Sequence, residues 1–127
     1  MVDDFFIGIT WFDLESWAGP RIVSRGRSYQ RSGRVKKLAR TESGDLVAWV
    51  DGSRRYATMV EINGREIISS CTCPYGVDCK HAVAVVFEYL EFLKNEKTVP
   101  SANDKDKRLE LLRRDMEAHS NNVFGDE

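Results

Sequence analysis

Within the eleven residues Cys71-Thr72-Cys73-Pro74-Tyr75-Gly76-Val77-Asp78-Cys79-Lys80-His81 the chain concentrates all three of its cysteines and one of its two histidines. This spacing, C-x-C-x5-C-x-H, constrains the fold more than any other feature of the sequence. An odd cluster this tight leaves at least one thiol over, so it is not a self-contained disulfide framework. A redox C-x-x-C is absent. Three thiolates and an imidazole, however, complete the tetrahedral shell that zinc prefers. In extended chain, residues i and i+2 point to the same side, so Cys71 with Cys73 forms one pincer, and Cys79 with His81 forms a second if the chain is extended there. Pro74 and Gly76 suit the tight reversal that brings the pincers face to face, and Lys80 offsets the negative charge of a three-thiolate site. Two other readings exist. Free cysteines can be small buried hydrophobes with His81 as a core or cap residue, or one thiolate can be activated by His81 for catalysis. Catalysis has no use for three clustered thiols and usually needs an orienting third group. Four good ligands leave no coordination position for water, so the zinc is read as structural and an enzymatic role is not expected.

The chain has 127 residues, the size of one domain with an appended tail. Its 42% hydrophobic content and 13 aromatic residues are enough to bury a core, which excludes global disorder. No run reaches the roughly 18 apolar residues of a membrane span. The opening Met1-Val2-Asp3-Asp4 is acidic where a secretory signal would be basic, so the expected location is cytoplasmic, with nucleoid association if the source is prokaryotic.

Turn signals at Ser43-Gly44-Asp45, Asp51-Gly52 and Asn63-Gly64 separate β-favouring stretches and predict a four-stranded antiparallel meander over Arg34–Thr41, Leu46–Val50, Arg55–Ile62 and Arg65–Thr72. Leu46, Ala48 and Val50 share one face of the second strand, and Tyr56, Thr58, Val60 and Ile62 share one face of the third. Ile67 or Ile68 continues the core in the fourth, which ends on the first two cysteines. Ala82–Lys94 is apolar nearly all round for two turns, as for a helix laid on a sheet. Its start favours the Cys79 thiolate. Upstream, Thr10 caps a helix that Ala18-Gly19-Pro20 ends, and in the following segment Ile22, Gly26 and Tyr29 recur at helical spacing as the expected core face. Residues 95–107 turn polar and read as a linker. Leu109, Leu112 and Met116 mark a stripe on a terminal helix that is expected to fold back on the domain, with a frayed tail from Ser120. The fold class is therefore α+β: a small antiparallel meander packed on helices, with a Cys3His zinc site joining the last strand to the following helix. Trp11 and Trp49 are read as core residues.

The ligand pattern, with its flanks Ile68-Ser69-Ser70 and Ala82-Val83-Ala84 and the lead-in Arg25-Gly26-Arg27-Ser28-Tyr29 … Gly33-Arg34-Val35, resembles the SWIM zinc finger, whose pattern is C-x-C-xn-C-x-H. The resemblance covers roughly residues 20–94, between an N-terminal helical segment at 1–19 and the linker and C-terminal helix at 95–107 and 108–127. It implies that Cys71, Cys73, Cys79 and His81 bind one zinc ion and that the module serves DNA binding or protein contact. Family members accompany Swi/Snf-type helicase-like ATPases, transposases and recombination factors. No helicase motor is present here, so such an ATPase would be a separate chain or a missing remainder.

Charge placement supplies the remaining hint. The totals nearly cancel, 19 basic against 20 acidic residues, yet Arg21, Arg25, Arg27, Arg31, Arg34, Lys36, Lys37 and Arg40 fall within twenty positions that hold no Asp or Glu. Such clusters bind nucleic acid through phosphates, releasing counterions, and Tyr29 and Tyr75 add stacking surfaces. The plain alternative is a solvated face balanced by acids elsewhere. Two functions follow: an accessory module that binds DNA, with RNA left open, or an adaptor that docks through Trp11, Phe12, Trp17 and Leu109 onto a larger machine. Neither a small-molecule substrate nor a membrane is expected.

Overall fold

The structure is a computed structural model describing residues 6–63 and 66–125. Helix α1 (Trp11–Ala18) begins at a reciprocal cap: the Thr10 hydroxyl accepts from the Asp13 amide at 3.2 Å, and the Asp13 carboxylate accepts from the Thr10 amide at 2.9 Å. Gly19, at φ 89°, ends it and lets Pro20 open α2 (Pro20–Arg31). The sheet follows as β1 (Val35–Thr41), β2 (Leu46–Asp51), β3 (Arg55–Asn63) and β4 (Glu66–Cys71), then α3 (Lys80–Lys94), β5 (Ser101–Ala102) and α4 (Lys107–Gly125). The expected turn at Asn63-Gly64 and the start of the fourth strand at Arg65 involve residues outside those described, as does the acidic opening of the chain. The strands on either side of that turn pair with Asn63 opposite Glu66.

The sheet order is β4-β3-β2-β1-β5, with antiparallel pairing from β4 to β1 and β5 parallel to β1. The fifth strand is the addition to the expected meander. It lies inside the stretch read as a linker, where Arg40 faces Ser101 and Thr41 faces Ala102, and the Arg40 amide donates to the Pro100 carbonyl at 2.8 Å. Two paired residues leave no periodic signal in a polar stretch, which is why the pattern missed them.

Register puts Leu46 opposite Val60, Ala48 opposite Thr58 and Val50 opposite Tyr56, and these residues are buried on the sheet face that α3 covers. Residues 81–87 of α3 are all buried. Each large aliphatic or aromatic side chain among them contributes about 1.5–3 kcal/mol of transfer free energy. The opposite face buries Val47 and Ala39 with Ala102 and Leu109, beneath α4. Helix α4 thus folds back on the sheet, as its stripe indicated. Leu112 is buried, whereas Met116 stays 57% exposed because it lies beyond the covered part of the face. The helix continues to Gly125, past the point where fraying was expected.

Buried Arg108 anchors that helix. It makes a paired contact with Asp106, Nε to Oδ1 at 2.9 Å and Nη2 to Oδ2 at 2.8 Å, and its Nη1 donates to the Lys37 carbonyl. Lys37 has φ 56° and sits where the β1–β2 register shifts, so a bulge turns its carbonyl toward the guanidinium. Arg108 holds the Asp106 carboxyl below its ordinary value of 3.8.

Helix α2 packs on the back of α3. Its buried residues are Val23, Gly26 and Gln30, with Ile22 and Tyr29 half-buried against the core beside them, so the expected Ile22–Gly26–Tyr29 stripe faces inward and is widened by Val23 and Gln30. Gln30 escaped a hydropathy pattern because it is polar. Its amide donates to Glu88 at 3.0 Å and also to Glu91, both on α3. Gly26 marks the closest approach of the two helices: a Cβ there would lie 2.6 Å from Val83 Cβ and 2.9 Å from the Lys80 carbonyl oxygen. Neither neighbour can yield, since Val83 is fully buried and the other is backbone. Gly26→Ala, which would gain about 1 kcal/mol in an unhindered helix, is therefore expected to destabilise the protein by about 1–3 kcal/mol. A thermal or urea melt at fixed zinc concentration reads the effect, and a melting midpoint at or above that of the parent would contradict the packing described.

Candidate metal centre

β4 ends on Cys71, and the chain bends through Thr72 and Cys73 while still bonded to β3. The Thr72 amide donates to the Ala57 carbonyl and the Ala57 amide to the Thr72 hydroxyl, both at 3.0 Å. The bend keeps Cys71 and Cys73 on one side, where their sulfurs meet the other ligands. The chain then reverses at Pro74-Tyr75-Gly76, where the Gly76 amide donates to the Cys73 carbonyl at 3.1 Å and the Cys71 amide to the Gly76 carbonyl at 2.8 Å. Gly76 has φ 81°, which its lack of a Cβ permits. Cys79 is the extended residue that caps α3, and His81 lies in the first turn of that helix. The second pincer is accordingly a cap residue and a helical residue two positions on, in place of two extended residues.

All four ligand atoms lie within 4.8 Å of one another, and all four residues are buried. His81 Nδ1 is 3.7 Å from both Cys71 Sγ and Cys79 Sγ. Bonds of about 2.3 Å to sulfur and about 2.0–2.1 Å to nitrogen make the edges of a zinc tetrahedron about 3.6–3.8 Å long, so this spacing suits the ion. The thiol chemistry points the same way. Contacts with Cys71 and Cys79 hold the Cys73 thiol far below its ordinary value, and the reciprocal contact pushes Cys71 far above. For Cys79 the Cys71 contact lowers the value, but Cys73 and burial outweigh it and bring the thiol up to about 11. Three sulfurs and one imidazole nitrogen held this close are the ligand set that zinc takes in closed tetrahedral sites.

Residues 49–90 match the SWIM zinc finger family. The chain carries a SWIM zinc finger. Over 96 residues, 74% of this chain, it is also 31% identical to an uncharacterized protein of Methanocaldococcus jannaschii. The chain spans about 40% of that relative's length. No solved structure matches it.

Around the finger's ligands lies a set of supporting contacts that the motif does not announce. The Thr58 hydroxyl is 3.2 Å from Cys71 Sγ and is the one contact that opposes, in small part, the rise that Cys73, Cys79 and burial impose on that thiol. The His81 ring sits between Tyr29 and Tyr56, with centroids 5.4 and 4.8 Å away, and Gly52 leaves room beside it: a Cβ there would lie 3.2 Å from His81 Nε2. Asp78, at φ 50°, is fixed by the Ser69 hydroxyl, which accepts from its amide at 2.7 Å. Its carboxylate accepts from the Trp17 indole at 2.6 Å, tying α1 to the finger loop. In the sequence Thr58 signals only a strand face and Gly52 only a turn. Trp17 and Asp78 carry no local signal of their meeting.

The basic run divides along several faces. Arg21 and Arg25 are exposed one turn apart on α2, and Arg25 lines an open groove of about 330 Å³ beside the finger, together with Tyr29, Ser53, Tyr56, Tyr75 and Lys80. Tyr29 has the Lys80 ammonium and the Arg34 guanidinium each 4.9 Å from its ring centre. Arg27 instead lies over Phe87 and Trp11, at 5.1 and 6.0 Å, and Arg31 lines a polar cleft with Glu88 and Glu91. Lys36 and Lys37 are exposed on β1. Arg40 turns inward, with Nη1 donating to the Tyr89 hydroxyl at 2.7 Å and Nε to the Gly44 carbonyl at 2.9 Å. The run is thus continuous in sequence but not on the surface. Trp11 is 46% exposed and Trp49 half-buried beneath Arg55, so neither is the core residue expected.

Zinc removal is expected to undo the join between sheet and helix. Elemental analysis should find one zinc per chain, and Cys79→Ala or chelation should cost on the order of 10 kcal/mol, seen as collapse of the near-UV dichroism. An unchanged melting curve after verified metal removal would refute this. Thr58→Val keeps the shape and removes the hydroxyl, and competition with a chelator should show zinc binding weakened about 10- to 100-fold. Unaltered affinity would mean that the hydroxyl does not support Cys71.

Proposed function

We propose that this protein is a non-catalytic, zinc-stabilised module that binds DNA largely through phosphates, as an accessory to a DNA-processing or helicase-type machine. The observation that carries this reading is the groove beside the finger: Arg25 and Lys80 line it with three tyrosines, and no carboxylate does. Arg21 extends the charge along α2, and Arg34 adds to it over Tyr29. Cationic side chains beside aromatic rings match the two chemistries of a nucleic-acid strand, its phosphates and its bases. Zinc acts here by rigidity. It fixes the loop bearing Tyr75 and the first turn of α3 bearing Lys80, so their ordering is complete before a ligand arrives.

A second reading draws on a different region. Ile7, Trp11 and Phe12 are 64%, 46% and 75% exposed at the start of α1, an apolar cluster of the sort that contacts proteins. In that reading the module is an adaptor with no nucleic-acid contact.

Salt separates the two. Fluorescence anisotropy against labelled single- and double-stranded oligonucleotides at about 50 mM salt should show binding that weakens steeply as salt rises. The double variant Arg21→Glu/Arg25→Glu should lose at least about tenfold in affinity for all sequences alike, with the log–log salt slope shallower by about 1.4–1.8. If zinc-loaded protein binds neither form at the lowest salt, the adaptor reading stands in its place.

A further inference from the structure

We propose that the groove beside the zinc finger seats an unpaired nucleobase stacked on Tyr75, which makes the ligand a single strand in preference to a duplex. This rests on the phosphate-binding reading above and narrows it. The three tyrosines of the groove are not equivalent. Tyr29 already carries the Lys80 and Arg34 cations on its ring. Tyr56 is buried, packs on His81, and shares a 2.8 Å hydrogen bond with the Ser53 hydroxyl. Tyr75 is 68% exposed and, among the described residues, has no ring partner. It is nonetheless held in place. Pro74 precedes it, Gly76 follows at φ 81°, the Val77 amide donates to its carbonyl at 3.0 Å, and both ends of the turn are tied down by the bonds between Cys71, Cys73 and Gly76.

An exposed aromatic ring on a turn whose backbone is pinned by these bonds is a prepared stacking platform, because little loop entropy remains to be lost on binding. Beside the ligands Cys73, Cys79 and His81, which form part of its wall, the groove is lined by Ile22, Pro74 and the tyrosines, which are apolar or aromatic, while the Ser53 and Tyr56 hydroxyls supply polar atoms for a base edge. Arg25 and Lys80 serve the phosphates beside the seated base. A base in a duplex reaches such a site only by leaving its stack and its pair, which costs a few kcal/mol. An unpaired base enters without that cost.

The test compares a labelled dT decamer, an rU decamer, an abasic decamer with the same phosphates, and a ten-base-pair duplex, all with zinc-loaded protein at about 50 mM salt. The better of the two base-bearing strands, whose identity distinguishes a DNA from an RNA source, should bind at least about fivefold more tightly than the abasic strand and the duplex. Tyr75→Ala, with zinc content and circular dichroism unchanged, should reduce it to the abasic level without altering the salt slope, and Tyr75→Phe should retain binding. Equal affinity for base-bearing and abasic strands, or indifference to Tyr75→Ala, overturns the base site and leaves phosphate binding standing. Failure of every probe to bind overturns both readings together.

Discussion

The architecture depends on burying four metal ligands in one place. Cys71, Cys73, Cys79 and His81 are at most 5% exposed, and three sulfurs in such a volume repel one another as thiolates. Burial of unpaired charge is among the largest penalties a small domain can meet. A tetrahedral cation converts that penalty into the strongest link between β4 and α3, two elements that otherwise share few contacts. Because the free energy of a structural site is comparable to the net stability of a whole domain, order around the knuckle and metal loading are one equilibrium.

From that link the rest is positioned in sequence. Fixing the first turn of α3 fixes the Lys80 carbonyl and Val83, and these meet α2 at Gly26, where no side chain fits. The metal therefore helps to set the placement of α2, and with it Arg21, Arg25 and Tyr29, through the close approach at Gly26 and the Tyr29–His81 ring contact. Short, unyielding contacts transmit position better than long side chains do, since packed interiors resist compression. On the far side of the sheet, Arg108 performs a similar task for α4 by reaching the carbonyl of a bulged residue.

Much of this was legible from residue types. Alternation in Leu46–Val50 and Tyr56–Ile62 identified the face that lies on α3, the Thr10 cap and Gly19-Pro20 break delimited the first two helices, and ligand spacing located the metal centre. What could not be read shares one physical cause: it depends on partners distant in the chain. Ser101–Ala102 become a strand only because β1 offers an edge. Gln30 is buried only because two glutamates on α3 receive its amide. Trp11 falls outside the core because α1 buries just Leu14. The eight basic residues look like one patch when written in a line, but a helix and a bulged strand send them in different directions, and Arg40 is drawn inward by Tyr89.

The indole of Trp17 and the carboxylate of Asp78 lie sixty-one positions apart in the chain. A contact of that separation offers no reward until the intervening loop has closed, and the entropy of closure is smallest once the meander has already drawn the ends together. Helix α1 buries a single leucine, and besides this bond it is held by the Trp11–Phe87 ring contact at 5.4 Å and by Trp17 and Ala18 against the core. With one buried residue against eight in α3, α1 belongs to the less protected part of the described fold, where local opening costs least.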